Sequence, residues 1–170
     1  MNRPTPIKPA LGQESVWDYP RPPRLEPSFK RIEIISGGVK IVDSSRAFRV
    51  LETSHPPVYY IPPNDIESSI LELANGSSFC EWKGAAGYYN LRIGQSSVLE
   101  AAWFYPKPSQ AFKAIKDHVA FYAARVTLLE GDGCFVNGER VVPQPGNFYG
   151  GWITSDIVGP FKGEPGTWGW

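Results

Sequence analysis

The chain has little of what would announce a chemistry. It holds two cysteines, Cys80 and Cys134, in 170 residues, too few for a disulfide framework. Lys and Arg number 17 and Asp and Glu number 17, so the formal net charge is zero. With no excess and no basic stripe, nothing long-range gathers nucleic acid or an anionic membrane surface. No apolar run reaches the roughly 18 residues of a membrane span, and the longest, Val119–Leu129, is broken by Arg125. Neither G-x-x-x-x-G-K-[ST] nor G-x-G-x-x-G occurs, which excludes the usual phosphate-cradling loops. The N-terminus carries no basic-then-apolar leader pattern. The expectation is a soluble, cytoplasmic protein with no cofactor, no nucleic-acid partner and no membrane span.

Glycine and proline, in contrast, are plentiful. With 17 of each they make up 20% of the chain, against roughly 12% on average. Alone that composition fits disorder, but aromatics at 14%, six of them Trp, argue for a packed interior. Together they predict many short strands joined by tight turns.

Read in order, the chain divides into a proline-rich arm (1–29), a β core (30–129), and a C-terminal hairpin followed by a Gly/aromatic wrap (130–170). The first part of the arm reads as a loose tail, and Trp17–Pro20 as a strap packed on the core. Lys30–Ser36 alternates and is followed by Gly37-Gly38, a hairpin signal. Strands are expected at Ala47–Leu51, Val58–Ile61, after Gly87, and at Leu99–Tyr105. Asn75–Ser78 reads as a turn and Val119–Leu129 as a long strand. Asn64 or Asp65 caps a predicted short helix over Ile66–Leu73, and Ser109 a second, with Ala111, Phe112 and Ile115 inward. Asn137-Gly138 marks a hairpin within Cys134–Val142. The fold expected is a single, mainly antiparallel β domain with two short helices and an ordered C-terminal extension.

The stretch S-F-C-E-W-K-G-A-A-G-Y-Y-N-L-R-I, Ser78–Ile93, concentrates a thiol (Cys80), a carboxylate (Glu81), an ammonium (Lys83) and the rings of Trp82, Tyr88 and Tyr89. The small residues Gly84–Gly87 allow another backbone or a ligand to approach closely. Cys80 near Lys83, with the loop residue His55, forms a candidate catalytic set, because a nearby cation lowers a thiol's pKa. Against this stands the ordinary role of a lone Cys as a small buried hydrophobe. Lys83 between Trp82 and Tyr88 suits a small anionic ligand; a salt bridge to Glu81 or Glu52 is the alternative. Glu52, Tyr60, Lys83, Tyr88, Trp103 and Tyr105 are the candidate ligand-binding residues. His118, where the second helix meets the next strand, reads as a cation at a helix C-terminus. The triplets Trp82-Lys83-Gly84 and Phe161-Lys162-Gly163 look alike but are too short to count as a repeat.

Several segments together resemble one family: V-W-D-Y-P-R-P-P at Val16–Pro23, L-E-T-S-H-P-P-V-Y-Y-I-P-P at Leu51–Pro63, C-E-W-K-G-A-A-G-Y-Y at Cys80–Tyr89, A-W-F-Y-P-K-P at Ala102–Pro108, H-V-A-F-Y at His118–Tyr122, and Q-P-G-N-F-Y-G-G-W-I-T-S-D-I-V-G-P-F-K-G at Gln144–Gly163. It is the family catalogued as domain of unknown function 427. The resemblance implies a β-tent fold, as in methionine-R-sulfoxide reductases and several zinc-knuckle modules, and it carries a nucleotidyltransferase label. The residues support neither zinc nor nucleotidyl transfer. Lys83 stands where a Cys-x-x-Cys knuckle would place its second thiol, and Cys134, His55 and His118 lack ligand spacing, so no metal is expected. Asp65-Ile66-Glu67 has the spacing of a magnesium-holding pair, but Gly76-Ser77 follows rather than precedes it, and capping explains it better. Three readings stay open: a small-molecule-binding domain, an enzyme using Cys80 or His55 in cysteine-based or nucleotidyl-transfer chemistry, and an interaction or homodimerisation module.

Overall fold

Ile32 and Ile34 alternate with Glu33 and Ile35 along the strand Ile32–Ser36, and both isoleucines are fully buried. That period of two fixes one face toward the core. In the computed structural model, which describes residues 3–170, the strand turns at Gly37-Gly38 and pairs back with Val39–Ser44. The turn is anchored from a distance, since the amides of Gly37 and Gly38 donate to the Asp132 carboxylate at 2.8 and 3.0 Å. On its other side Ile32–Ser36 pairs with Gly133–Val136, which returns through Asn137-Gly138 to Glu139–Arg140.

A second four-stranded antiparallel sheet runs, in spatial order, Val119–Phe121, Ser96–Phe104, Gly84–Ile93 and Leu71–Cys80. A three-stranded sheet, Arg24–Ser28, Ala47–Leu51 and Val58–Tyr60, meets it where Ile61 and Val119 exchange backbone hydrogen bonds of 2.8 and 2.9 Å. Strand accounts for 44% and helix for 11% of the chain, a mainly β domain as composition predicts. The principal core includes Ile32, Ile34, Ile41, Leu91, Phe121 and Trp152. A second cluster, with Val50, Tyr60, Trp103, Tyr105, Phe112 and Ile115, lies under the site described below.

Both ends of the chain pack onto these sheets. Trp17 and Tyr19 are buried, Trp17 Nε1 donates to the Pro160 carbonyl at 2.9 Å, and Glu14–Ser15 pairs in parallel with Ile157–Val158. Arg3 lies over the Trp17 ring, so the tail is in contact with the strap. The loose tail expected at the start begins with residues 1–2, which lie outside the described residues. Trp152, fully buried, stacks on Tyr59 and donates from Nε1 to the Phe121 carbonyl at 3.1 Å. The C-terminal wrap thus completes the core.

Three expected elements differ, the first two because sheet pairing overrides local propensity. Over 66–73 the chain makes a single 3-10 turn at Ser68–Ile70, and Leu71 opens a ten-residue strand. Ile66 there bridges Val42, and the Glu67 amide donates to the Ile41 carbonyl at 2.8 Å. Asn75–Ser78 lies inside that strand as a register shift. The strand at Val119 stops at Phe121, and Ala123–Val126 forms one helical turn that buries Ala123 and Val126. The short helix expected after Ser109 is a 3-10 helix over Gln110–Ile115 with Phe112 and Ile115 inward, but Ala111 is exposed and the Ser109 side chain makes no capping hydrogen bond.

Candidate functional site

The polar end of the site is the loop after Ala47–Leu51. Its backbone is held from both termini: Thr53 and Ser54 donate to the carbonyls of Pro20 and Val16, and Lys162 donates to the Ser54 carbonyl. Ser54 is fully buried with φ +73°, a left-handed conformation sparsely populated by non-glycine residues. That twist turns the loop so that Glu52 and His55 face the same side, His55 Nε2 lying 3.6 Å from Glu52 Oε2.

The opposite wall is the turn Glu81–Lys83 between Leu71–Cys80 and Gly84–Ile93. It is docked on the segment before Gln110, where the Ser109 amide donates to the Lys83 carbonyl at 2.9 Å and Ser109 Oγ to the Trp82 carbonyl at 2.5 Å. Gly84, at φ +110°, exits the turn, and a β-carbon there would sit 3.2 Å from the Lys107 carbonyl oxygen. Only glycine allows this tight dock, which fixes where Lys83 projects.

The third wall comes from the C-terminal wrap. Tyr122 Oη donates to the Phe148 carbonyl at 3.2 Å and Arg125 to the Asn147 carbonyl at 3.0 Å, tying the wrap to the large sheet. Gln144, buried, bridges His55, Lys162 and Gly151. Gly151 is pressed so closely that a β-carbon would lie 2.6 Å from the Pro56 carbonyl oxygen and 2.7 Å from Gln144 Oε1.

These walls enclose a cavity of about 520 Å³, within the range of small-molecule sites. All eight residues singled out from the sequence, Glu52, His55, Tyr60, Cys80, Lys83, Tyr88, Trp103 and Tyr105, line it. Sequence reading missed the wall supplied by the wrap: Gln144, Tyr149 and Lys162. The resemblance between Phe161-Lys162-Gly163 and Trp82-Lys83-Gly84 was the available signal, since both lysines line this cavity. Rings form most of the rest. Tyr60 stands edge-on to Trp103, and Trp103 Nε1 donates to Tyr60 Oη at 3.3 Å. Trp103 packs on Tyr122 with centroids 4.5 Å apart. Burial pushes the Tyr60 and Tyr105 phenols upward, so both stay protonated. Phe79 and Phe148 stand at the rim, 78% and 69% exposed.

The charges are not cancelled locally. Among the described residues neither Lys83 nor Lys162 has an Asp or Glu carboxylate within ion-pair distance, so the salt bridge from Lys83 to Glu81 or Glu52 does not form. Lys83 Nζ lies over the Tyr105 and Phe112 rings at 5.7 and 5.9 Å, and Lys162 Nζ over Tyr149 at 5.7 Å. Lys162 Nζ is also 3.4 Å from the main-chain oxygen of Trp170. Glu52 is paired with Arg21 at 3.2 Å. Burial, then the cations Lys162, Arg21 and Lys83, push the His55 imidazole down to about 3, so it is neutral and its contact with Glu52 is not an ion pair.

Among the described residues no hydrogen bond joins Cys80 to His55, whose Nδ1 is occupied by Gln144. Cys80 is half-buried in the cavity wall, whereas Cys134 is sealed in the core. Asp65 accepts from Arg46 at 3.1 and 2.6 Å and from Ser44 at 2.6 Å, away from the cavity, and Glu67 accepts from Ser69. Among the described residues no three His, Cys, Asp or Glu side chains stand together as a metal site. His118 packs against Phe48, with Nδ1 3.1 Å from the Lys116 carbonyl oxygen.

Residues 24–132, well over half of the chain, match the sequence model of the family described as domain of unknown function (DUF427). The matched span carries the loop and turn walls of the cavity, while Gln144, Tyr149 and Lys162 lie beyond it. No curated protein matches the chain significantly.

Proposed function

We propose a function from the cavity, since the chain belongs to the DUF427 family and that description assigns none. The cavity binds a small molecule that combines an anionic group with a planar ring. The observation that carries this reading is the pair Lys83 and Lys162, two ammonium groups with no Asp or Glu partner among the described residues, in a hollow walled by aromatic rings. An unpaired, partly desolvated cation is costly, and an incoming carboxylate or phosphate removes that cost with charge-assisted hydrogen bonds. The walls formed by Tyr60, Tyr88, Trp103 and Tyr105 suit a flat ring, and the tyrosine hydroxyls can orient it. The exposed rim of Phe79 and Phe148 offers apolar contact to any part that protrudes.

A thermal-shift screen of aromatic carboxylates, nucleoside monophosphates and inorganic phosphate tests this, since a ligand that binds only the folded state raises its melting temperature. A rise with a ring-bearing anion that is lost in Lys83→Ala supports the reading. No rise across the panel, or one unchanged in Lys83→Ala, contradicts it.

The second reading, an enzyme built on Cys80, is favoured by the placement of that thiol in the cavity wall. It lacks a general base in hydrogen-bond reach, because His55 is turned to Gln144 and Glu52.

A further inference from the structure

Gln144 is 3% exposed, and its amide is fixed at both ends by backbone groups that permit only one orientation. Oε1 accepts from the Gly151 N–H at 3.1 Å, and Nε2 donates to the Lys162 carbonyl at 2.9 Å. A flipped amide would set donor against donor at Gly151 and acceptor against acceptor at Lys162. The remaining Nε2 hydrogen lies toward His55 Nδ1 at 3.0 Å. Nδ1 must therefore accept, and the proton of the neutral ring sits on Nε2.

The other groups around this imidazole are consistent with that state. Glu52 faces Nε2 at 3.6 Å but is shared with Arg21, Tyr149 packs edge-on at 5.0 Å, and Lys83 and Lys162 supply positive charge nearby. Protonating Nδ1 would place its hydrogen against the Gln144 amide hydrogens, which the backbone partners prevent from turning away.

We infer that Gln144 is a specificity-determining positioning residue: it locks His55 as a neutral Nε2–H donor, so the cavity's anion preference comes from Lys83 and Lys162 and does not change as pH crosses the ordinary histidine range. The ligand part of this inference rests on the proposed function above; the tautomer part stands independently. An unlocked imidazole would add positive charge as pH fell and would bind anions more tightly in acid. This site instead offers one unchanging N–H beside two ammonium groups, a constant set of donors for a deprotonated carboxylate or phosphate.

Long-range ¹H–¹⁵N spectra of the imidazoles in the full ¹⁵N-labelled chain test it, with His55→Asn separating the His55 signals from those of His118. The expected result is a proton-free Nδ1 and a protonated Nε2 on His55 throughout pH 8 to 5. In Gln144→Glu the new carboxylate accepts from Nδ1–H, so the ring gains a proton on titration near or above the ordinary value of about 6.5. Indole-3-acetate is then expected to bind wild type with an affinity constant within about twofold between pH 8 and 6, and Gln144→Glu with an affinity that changes across that range. Titration of wild-type His55 near 6.5, or a proton on Nδ1, overturns the inference, and that spectrum decides even if Gln144→Glu does not fold. If no aromatic anion binds while the spectrum stays as expected, the proposed ligand class fails and the role of Gln144 in fixing the tautomer stands.

Discussion

Lys83 and Lys162 line one cavity from distant parts of the sequence, each at the centre of an aromatic-Lys-Gly triplet and each with its ammonium 5.7 Å from a tyrosine ring, Tyr105 for one and Tyr149 for the other. Among the described residues neither is held by an Asp or Glu carboxylate. On the proposed reading their charge meets the anionic group of a ligand.

This predicts a separation of stability from binding. Lys83→Ala removes the cation–ring contacts to Tyr105 and Phe112, and Lys162→Ala the one to Tyr149 with a long hydrogen bond to Trp170, in all about 1–2 kcal/mol for each variant. Urea unfolding should show losses no larger than that, while affinity for a ring-bearing anion falls at least about tenfold, or 1.4 kcal/mol. A loss of several kcal/mol in stability would mean that the lysines hold the fold rather than a ligand.

The two thiols should behave differently. Cys134 is 1% exposed and burial pushes its thiol upward, so it stays protonated and shielded. Cys80 faces the cavity. A disulfide reagent should modify one thiol in the native chain and two after unfolding, and Cys80→Ser should remove the native reaction. A bound aromatic anion should slow modification of Cys80, since it fills the same space. Two native reactive thiols, or none, would contradict this placement.

Asp132 should contribute to acid stability. Its buried carboxylate accepts from the amides of Gly37, Gly38, Leu128 and Leu129 at 2.8–3.0 Å. Burial works to raise its pKa, but the Gly38, Leu129, Gly37 and Leu128 amides together hold it below the ordinary 3.8. A depressed carboxylate contributes stability that is complete above the unfolded value and is lost as pH falls through the folded one. Wild type should therefore weaken below about pH 4 more steeply than Asp132→Asn, which has no charge to lose. Asp132→Ala, which orphans the amides, should cost about 2–4 kcal/mol at neutral pH. Equal acid sensitivity of wild type and Asp132→Asn would remove Asp132 from this role.

Much of this was legible in the sequence where signals are local. Gly37-Gly38 and Asn137-Gly138 gave their hairpins because turn chemistry is written in adjacent residues. Leu71–Leu73 was misread because its strand forms against Tyr89–Leu91, and no local pattern carries that pairing. The same reason hid a wall of the site. Gln144 is an ordinary polar residue between Pro143 and Pro145, and its importance lies in bonds to His55 and Lys162, which folding alone brings near. The eight residues chosen for their chemistry do line one cavity, because the loop after Leu51 and the turn after Cys80 face each other across the sheet junction.

The central claim is that this cavity selects an anion on a ring through Lys83 and Lys162. The most direct test is a fluorescence titration of wild type and the Lys83→Ala/Lys162→Ala variant with indole-3-acetate and with its neutral amide, indole-3-acetamide. Wild type should prefer the carboxylate by at least about tenfold, and the preference should disappear in the double variant. Equal affinity of wild type for both compounds, or a preference retained without the two lysines, would contradict it.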